Sequence, residues 1–144
     1  MIRKAVTADF AQCKKIADKC CERYPDLRPN ESSIKKLFDE CVSGARNFAL
    51  VSVANGEIVG CIFAISYDHL WAQKQSSCVL LWRCETSGDG VKMLKQYREW
   101  VDSRAAIRRA GFQFDCEISE RVFPVLERCG FKKVGGCYLR IKGS

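Results

Sequence analysis

Apolar residues recur along this chain with two different periods, one typical of helices and one typical of strands. Residues 2–6 predict a short first strand. From Phe10 to Cys21 apolar side chains then recur every three or four residues, which predicts a helix. Thr7 can cap that helix, and Asp9 suits its first turn. Pro25 and Pro29 end it and mark a connection.

A second helix and a hairpin follow. Asn30 or Ser32 can begin this helix, and Gly44 is a suitable end. From Phe48 to Val53 the period falls to two, which predicts a strand. Asn55-Gly56 separates this run from the apolar run Ile58 to Ile65, and an Asn-Gly pair between two such runs is a strong hairpin signal.

The rest of the chain continues this alternation of strands and helices. Residues 67–76 are polar and predict a loop, and residues 78–83 predict another buried strand. A helix is predicted from Val91 to near Gly111, and a strand from Phe112 to Ile118. Ser119 can cap a last helix that contains Pro124 as an awkward interior residue and ends at Gly130. Residues 131–134 and 138–141 predict the last strands.

The predicted order is β-α-α-β-β-β-α-β-α-β-β. It contains neither an internal repeat nor a linker, so we expect one domain over residues 1–144. The fold class is α/β, in the α+β sense, with a central mixed sheet that is mostly antiparallel and is flanked by helices.

Composition narrows the class of protein. Hydrophobic residues make up 47% of the 144, which predicts a packed core. No apolar run approaches the ~20 residues of a membrane helix, and no export signal follows Met1. We therefore expect a soluble, cytoplasmic protein with no membrane partner. The formal net charge of +7 favours anionic partners, and nucleic acid stays open among them.

Ten cysteines raise the alternatives of disulfides and metal binding. The chain has no C-x-x-C pair, and its single histidine cannot complete a Cys/His zinc site of familiar spacing. Most of the cysteines occupy predicted core positions, where reduced thiols act as small hydrophobes. We therefore expect reduced, mostly buried cysteines and no metal.

The segment from Leu80 to Leu94 carries the candidate chemistry. A buried strand runs into a turn with two glycines, Gly88 and Gly90, and the turn opens directly into a helix. Glycine lets the backbone approach a ligand closely. The free N–H groups and the dipole at a helix start favour an anion. This segment therefore predicts a cradle for phosphate or pyrophosphate.

The element order and this segment together resemble the GNAT superfamily of N-acetyltransferases. The family's signature Q/R-x-x-G-x-G/A after its fourth strand corresponds here to Glu85-Thr86-Ser87-Gly88-Asp89-Gly90. Residues 2–10 resemble the family's first strand and helix start, and residues 55–60 resemble the hairpin between its second and third strands. Residues 126–135 resemble its late helix, which runs into a Gly-Phe strand. The resemblance covers nearly the whole chain.

The resemblance implies an acyltransferase that uses acetyl-CoA or another acyl-CoA and acts on an amine of a small molecule or a protein. In such an enzyme the acceptor attacks the thioester directly. The fourth and fifth strands splay apart, and the backbone of the fourth strand pairs with the pantetheine amides. The residues implied in cofactor binding are Leu80, Leu81, Trp82, Thr86, Ser87, Gly88, Asp89, Gly90, Val91 and Ser119.

The resemblance defines the catalytic groups less closely than the cofactor-binding residues. Glu117 on the predicted fifth strand and His69 in the loop before the fourth are candidate general bases. Glu85 replaces the family's Gln or Arg, and a carboxylate facing the pyrophosphate would weaken binding. Leu126 occupies the position of a tyrosine that protonates the departing thiolate in many members. Two alternatives therefore remain: a catalytically degenerate binding or structural protein of this fold, for instance a viral one, and a nucleic-acid-associated modifier.

Overall fold

The fold is described by a computed structural model over residues 1–28, 30–71, 73–112 and 119–135, together with residues 140 and 142. Over these residues it contains five strands and four α-helices in the order β1-α1-α2-β2-β3-β4-α3-β5-α4. The strands are β1 Ile2–Lys4, β2 Phe48–Ala54, β3 Glu57–Asp68, β4 Gln75–Cys84 and β5 Ile107–Phe112. The helices are α1 Phe10–Cys21, α2 Glu31–Ser43, α3 Ser87–Asp102 and α4 Val122–Arg128.

The strands form one sheet in the order β1-β2-β3-β4-β5. The first four are antiparallel to their neighbours, and β5 is parallel to β4. The predicted α+β class with a mixed, mostly antiparallel sheet is therefore confirmed. Among the described residues, no helix is long and apolar enough to cross a membrane.

Each face of the sheet has its own hydrophobic core. On one face, Leu50, Ile62 and Val79 pack against Met93, Leu94 and Tyr97 of α3. On the other face, Val51, Cys61 and Phe63 pack against Cys13 of α1 and against Phe38 and Cys41 of α2. The alternation of the strands therefore divides their side chains between α3 and the pair α1 and α2.

Several predicted boundaries are confirmed. The hairpin between β2 and β3 turns at Asn55 and Gly56, whose φ values of 51° and 77° are those a type I′ turn requires. The side chain of Asn30 accepts a hydrogen bond from the Ser33 N–H and so caps α2, and Gly44 follows the end of that helix. Asp9 lies at the start of α1, where its carboxylate accepts from the Val6 N–H and from Arg3.

Other boundaries were wrong. The long helix begins at Ser87 rather than Val91, so both glycines of the predicted turn lie in its first turn, and it ends at Asp102 rather than near Gly111. Ile107–Phe112 forms β5. Ile107 is buried and pairs with Gln75, so the contact with β4 outweighs the helix propensity of the alanines before it. The predicted loop at residues 67–76 is shorter, because β3 extends to Asp68 and β4 begins at Gln75.

Two corrections concern the late part of the chain. α4 begins at Val122, so Pro124 lies in its first turn, where a backbone N–H has no partner within the helix. Pro124 is therefore compatible with this helix. Residues 131–134 do not form the predicted strand, and residues 113–118 and 138–139 lie outside the described residues.

Candidate functional site

The geometry of the site begins with a bulge in β4. Phe63 of β3 pairs with Leu81, whereas the next residue, Ala64, pairs with Val79. Leu80 is therefore an extra residue in β4, and its side chain is 43% exposed. Because a bulge reverses the alternation of a strand, Val79 packs on the α3 face while Leu81 packs on the face of α1 and α2.

Beyond the bulge, β4 has no described neighbour on the side of β5. The parallel pairing runs from Gln75 with Ile107 to Val79 with Phe112. Within the described part of the chain, residues 80–84 pair only with β3. The predicted splay of these two strands depends on residues 113–118 and stays a prediction, as does pairing of the Leu80, Leu81 and Trp82 backbone with a ligand.

A row of small residues crosses three strands at the end of β4. Ser52 of β2 pairs with Gly60 of β3, and Gly60 pairs with Cys84 of β4. A Cβ added at Gly60 would lie 2.4 Å from the Cys84 sulfur, and one added at Gly90 would lie 3.3 Å from the Cys84 Cβ. The small side chains therefore let the first turn of α3 rest directly on the sheet.

Two hydrogen bonds attach this first turn to the sheet. The hydroxyl of Ser52, which is fully buried, donates to the Asp89 carboxylate at 2.6 Å. The indole N–H of Trp82 donates to the Gly90 carbonyl at 3.0 Å. The hydrogen bond from Ser52 lowers the pKa of the Asp89 carboxyl below its ordinary value, and the charge of Lys92 acts in the same direction.

The start of α3 is open on its outer side. Thr86 is the N-cap residue, yet its side chain makes no capping hydrogen bond, and its hydroxyl lies 3.3 Å from the Cys84 sulfur. No described atom lies within 4 Å of a Cβ built at Gly88. A cap that does not close the helix leaves first-turn N–H groups for another acceptor. Backbone N–H groups, the helix dipole and free space over Gly88 together suit a phosphate or pyrophosphate.

The structure brings most of the predicted cofactor residues to this turn, with three qualifications. Residues 86–91 form the N-cap and the first turn of α3. The Asp89 side chain faces Ser52, so only its backbone suits a ligand. The Trp82 ring packs against Phe112 at 5.6 Å and holds Gly90. Ser119 lies before α4, where its hydroxyl accepts from the Arg121 N–H at 3.4 Å.

Glu85, at the head of the turn, lies beside Lys19 of α1. Its carboxylate lies 3.9 Å from the Lys19 Nζ of α1, and its side chain is 63% exposed. Its backbone N–H donates to the Val59 carbonyl at 2.9 Å, which fixes the residue at the edge of β3. The Glu85 carboxylate is therefore paired with a cation of α1 in this structure.

His69 is the candidate base that lies among the described residues, and it is not beside the turn. His69 lies in the β3–β4 hairpin, where its Nδ1 accepts from the Trp71 N–H at 3.1 Å. That hairpin is at the other end of β4, nine residues from Cys84, or about 30 Å along an extended strand. Glu117 lies outside the described residues. Leu126 is buried in the core beside α3, so it supplies no proton.

The thiols were considered as metal ligands. Of the eight cysteines that the structure describes, four are buried, namely Cys13, Cys41, Cys61 and Cys129, and the other four are partly exposed. Burial raises the pKa of Cys41 to about 11. Among the described residues, no group of three or more His, Cys, Asp or Glu side chains has the geometry to hold a metal ion.

Two residues of the site were not identified from the sequence. Ser52 follows Phe48 and Leu50 in the alternation of β2, and a hydroxyl at the next inward position was a usable signal of a buried polar contact. Lys19 belongs to α1 and approaches Glu85 only through the packing of that helix on the sheet. No local pattern indicated that contact.

No family model matches this chain, and no curated protein sequence matches it. Similarity appears among solved structures. A possible acetyltransferase from Clostridium difficile 630 has a TM-score of 0.73 at 11% identity, covering 99% of this chain and 96% of that one. A predicted acetyltransferase with acetyl-CoA from Clostridium acetobutylicum has a TM-score of 0.70 at 14% identity, covering 99% and 95%.

A third structure is an aminoglycoside acetyltransferase from an uncultured soil metagenomic sample, in complex with sisomicin. Its TM-score is 0.67 at 13% identity, and the match covers 99% of this chain and 96% of that one. Identities this low establish the fold and leave activity undetermined. Several structural neighbours across the whole chain are acetyltransferases, and another is a transcriptional regulator from Bacillus halodurans C-125, so the comparison confirms the predicted fold.

Proposed function

We propose that this chain binds acetyl-CoA, or another acyl-CoA, at the first turn of α3 and transfers the acyl group to an amine. The observation that carries the proposal is the start of α3 directly after the bulged strand. Its N-cap side chain is unengaged as a cap, and the space over Gly88 is open. The same fold occurs in a predicted acetyltransferase solved with acetyl-CoA.

The residues present fit the polar part of such a substrate. First-turn N–H groups of α3 would hold the pyrophosphate, and Lys92, which is 70% exposed in the same helix, adds a positive charge nearby. Glu85 is neutralised in part by Lys19, so the loop carries less uncompensated negative charge than its sequence suggests. The exposed Leu80 bulge would place backbone groups beside the pantetheine arm.

In the reaction, the acceptor nitrogen forms a bond to the acyl carbon and the carbon–sulfur bond breaks. The nitrogen loses a proton, and the departing thiolate takes one up. Leu126 is buried and apolar, so water or a group outside the described residues would supply the proton to sulfur. Glu117 and His69 both stay our candidate bases, and His69 lies in the hairpin that precedes β4.

The acceptor is proposed by chemistry. Two of the structural neighbours are aminoglycoside acetyltransferases, so a polyamine sugar is the first acceptor to assay, followed by lysine-containing peptides. Product should be measured by mass, because the ten cysteines of the chain would react with reagents that detect free thiol.

A second function is favoured by Leu126, which occupies the position of the family's tyrosine and is 8% exposed. This second function is to bind CoA without catalysing a reaction. Turnover distinguishes it from the enzyme, because both should bind CoA.

The test uses calorimetry and thermal melting with acetyl-CoA. Ligand at about 100 times its Kd should stabilise the folded protein by about 2.7 kcal/mol. Gly88→Leu should abolish the shift, because its side chain would occupy the open space, whereas Gln96→Leu at an exposed position of α3 should not. Absence of any shift at millimolar acetyl-CoA in the unmodified protein would refute the proposal.

A further inference from the structure

The inference concerns Ser52 and Asp89 and rests on the proposed function. Asp89 stands between the two glycines of the turn, where a free carboxylate would repel a pyrophosphate. The structure instead turns this carboxylate toward the sheet, where the Ser52 hydroxyl donates to it at 2.6 Å. Lys92 lies 3.7 Å from its other oxygen.

Ser52 and Asp89 differ in how firmly their surroundings hold them, and this difference determines which of them the hydrogen bond restrains. Ser52 is fully buried in β2 and is paired on both sides, with Ile2 of β1 and with Gly60 of β3. Asp89 lies in the first turn of α3, and its side chain is 24% exposed. A hydrogen bond between a fixed strand and a helix end therefore restrains the helix end.

We propose that Ser52 and Asp89 are positioning residues that hold the first turn of α3 in the orientation that binds the pyrophosphate of CoA. The contact acts together with the Trp82 hydrogen bond to the Gly90 carbonyl, which lies one residue further along the turn. Neither side chain is required to touch the ligand. Both act through the direction of the backbone N–H groups around Gly88.

Anchoring of the turn and simple charge repulsion predict opposite changes in CoA affinity for the same substitution. If Asp89 acts only as a negative charge near the ligand, Asp89→Ala removes repulsion and tightens CoA binding. If it acts as an anchor, Asp89→Ala frees the turn and weakens binding in spite of the lost charge. Calorimetry should show about a tenfold weaker Kd for CoA. Tighter or unchanged binding would overturn the proposal.

A double-mutant cycle separates anchoring from two independent effects. Ser52→Ala should also weaken CoA binding about tenfold, and the double variant should be no weaker than the weaker single variant. Losses that multiply in the double variant would contradict a shared role. Melting of each variant without ligand checks folding, and if Ser52→Ala does not fold, Asp89→Ala alone decides through the sign of its effect.

Hydrogen exchange measured without ligand tests the contact between Ser52 and Asp89 independently of whether the protein binds CoA. Ser52→Ala and Asp89→Ala should both raise amide exchange in the first turn of α3, and exchange in α2 should stay unchanged. If the unmodified protein binds no CoA, the proposed function fails, and unchanged exchange in α3 would separately show that the contact restrains nothing. Ser52→Thr keeps the hydroxyl and should restore both protection and CoA affinity relative to Ser52→Ala.

Discussion

The two ends of β4 have opposite surroundings. At the Cys84 end, three small residues pair across the strands, a helix rests on them, and a buried hydroxyl holds a carboxylate. At the Gln75 end, the hairpin exposes Leu70 and Trp71 by 84% and 86% and carries the single histidine of the chain. The Cys84 end therefore combines a close contact between helix and sheet with open space over a helix start, whereas the other end leads into an exposed hairpin.

The comparison shows why residue type alone is a weak guide to a site. The histidine in the hairpin was a candidate base because of its residue type, and the hairpin lies about 30 Å along the strand from the turn. Serine, glycine and cysteine at the other end look inert in the sequence. Together they let a helix start approach the sheet and fix its direction.

The largest expected effect comes from adding a methyl group at Gly60, which pairs with Cys84 at one end of β4. The same change at Gly111, which pairs with Cys78 in the other half of β4, is the control. Gly60→Ala would place a Cβ 2.4 Å from the Cys84 sulfur and 2.9 Å from its Cα, so backbone as well as side chain must move. We expect the free energy of unfolding to fall by about 2 kcal/mol. Gly111→Ala, near the other end and with no described atom within 4 Å of the new Cβ, should change it by less than about 0.5 kcal/mol.

Urea denaturation of both variants measures this difference, with the midpoint compared at unchanged slope. Equal losses in the two variants would show that the small-residue row is not a tight contact. A loss confined to Gly60→Ala would support the close packing on which the anchoring of α3 depends.

A smaller effect is expected from ligand protection of two cysteines in β4. Cys84 lies under the start of α3, and Cys78 lies in the half of the strand that pairs with β5; both are partly exposed. A bulky adduct on Cys84 must displace the turn, so CoA at ten times its Kd should slow alkylation of Cys84 about tenfold. Alkylation of Cys78 should stay unchanged.

Peptide mass spectrometry resolves the two sites after brief treatment with iodoacetamide. Protection of both thiols by the same factor would indicate a general stabilisation of the fold by CoA. Protection of Cys78 alone would move the ligand to the other end of the strand and contradict the site.

Local features were predictable from the sequence, because their causes lie within a few residues. Asn55-Gly56 adopts the two positive φ values of a tight hairpin, and a helix follows β4 as expected, although it begins at Ser87 and includes both glycines. The end of α3 was not predictable, because Ile107 leaves the helical pattern only to pair with Gln75, a residue distant in sequence. The bulge at Leu80 likewise needs the register with β3.

In the candidate site, too, local features could be predicted from the sequence and long-range contacts could not. The open turn at residues 86–91 could be located from two glycines and a helix pattern. Its anchor could not, because the contact between Ser52 and Asp89 joins residues 37 positions apart. The direction of the Glu85 side chain depends on Lys19, which only the packing of α1 on the sheet brings near.

The smallest expected effect concerns Glu85, the position at which the turn departs most from the family pattern. Facing the pyrophosphate, its carboxylate would weaken CoA binding several-fold, and Glu85→Gln would relieve that. The carboxylate lies instead 3.9 Å from the Lys19 Nζ and is largely exposed, and exposed ion pairs contribute only about 0–1 kcal/mol. Glu85→Gln should therefore change the Kd for CoA less than about twofold, because it removes a distant charge and frees Lys19 at the same time. Lys19→Gln is the matched control and should weaken binding slightly by leaving Glu85 unpaired. Calorimetric titration at low and high salt measures both variants, and a several-fold gain for Glu85→Gln that disappears at high salt would show that this carboxylate faces the ligand.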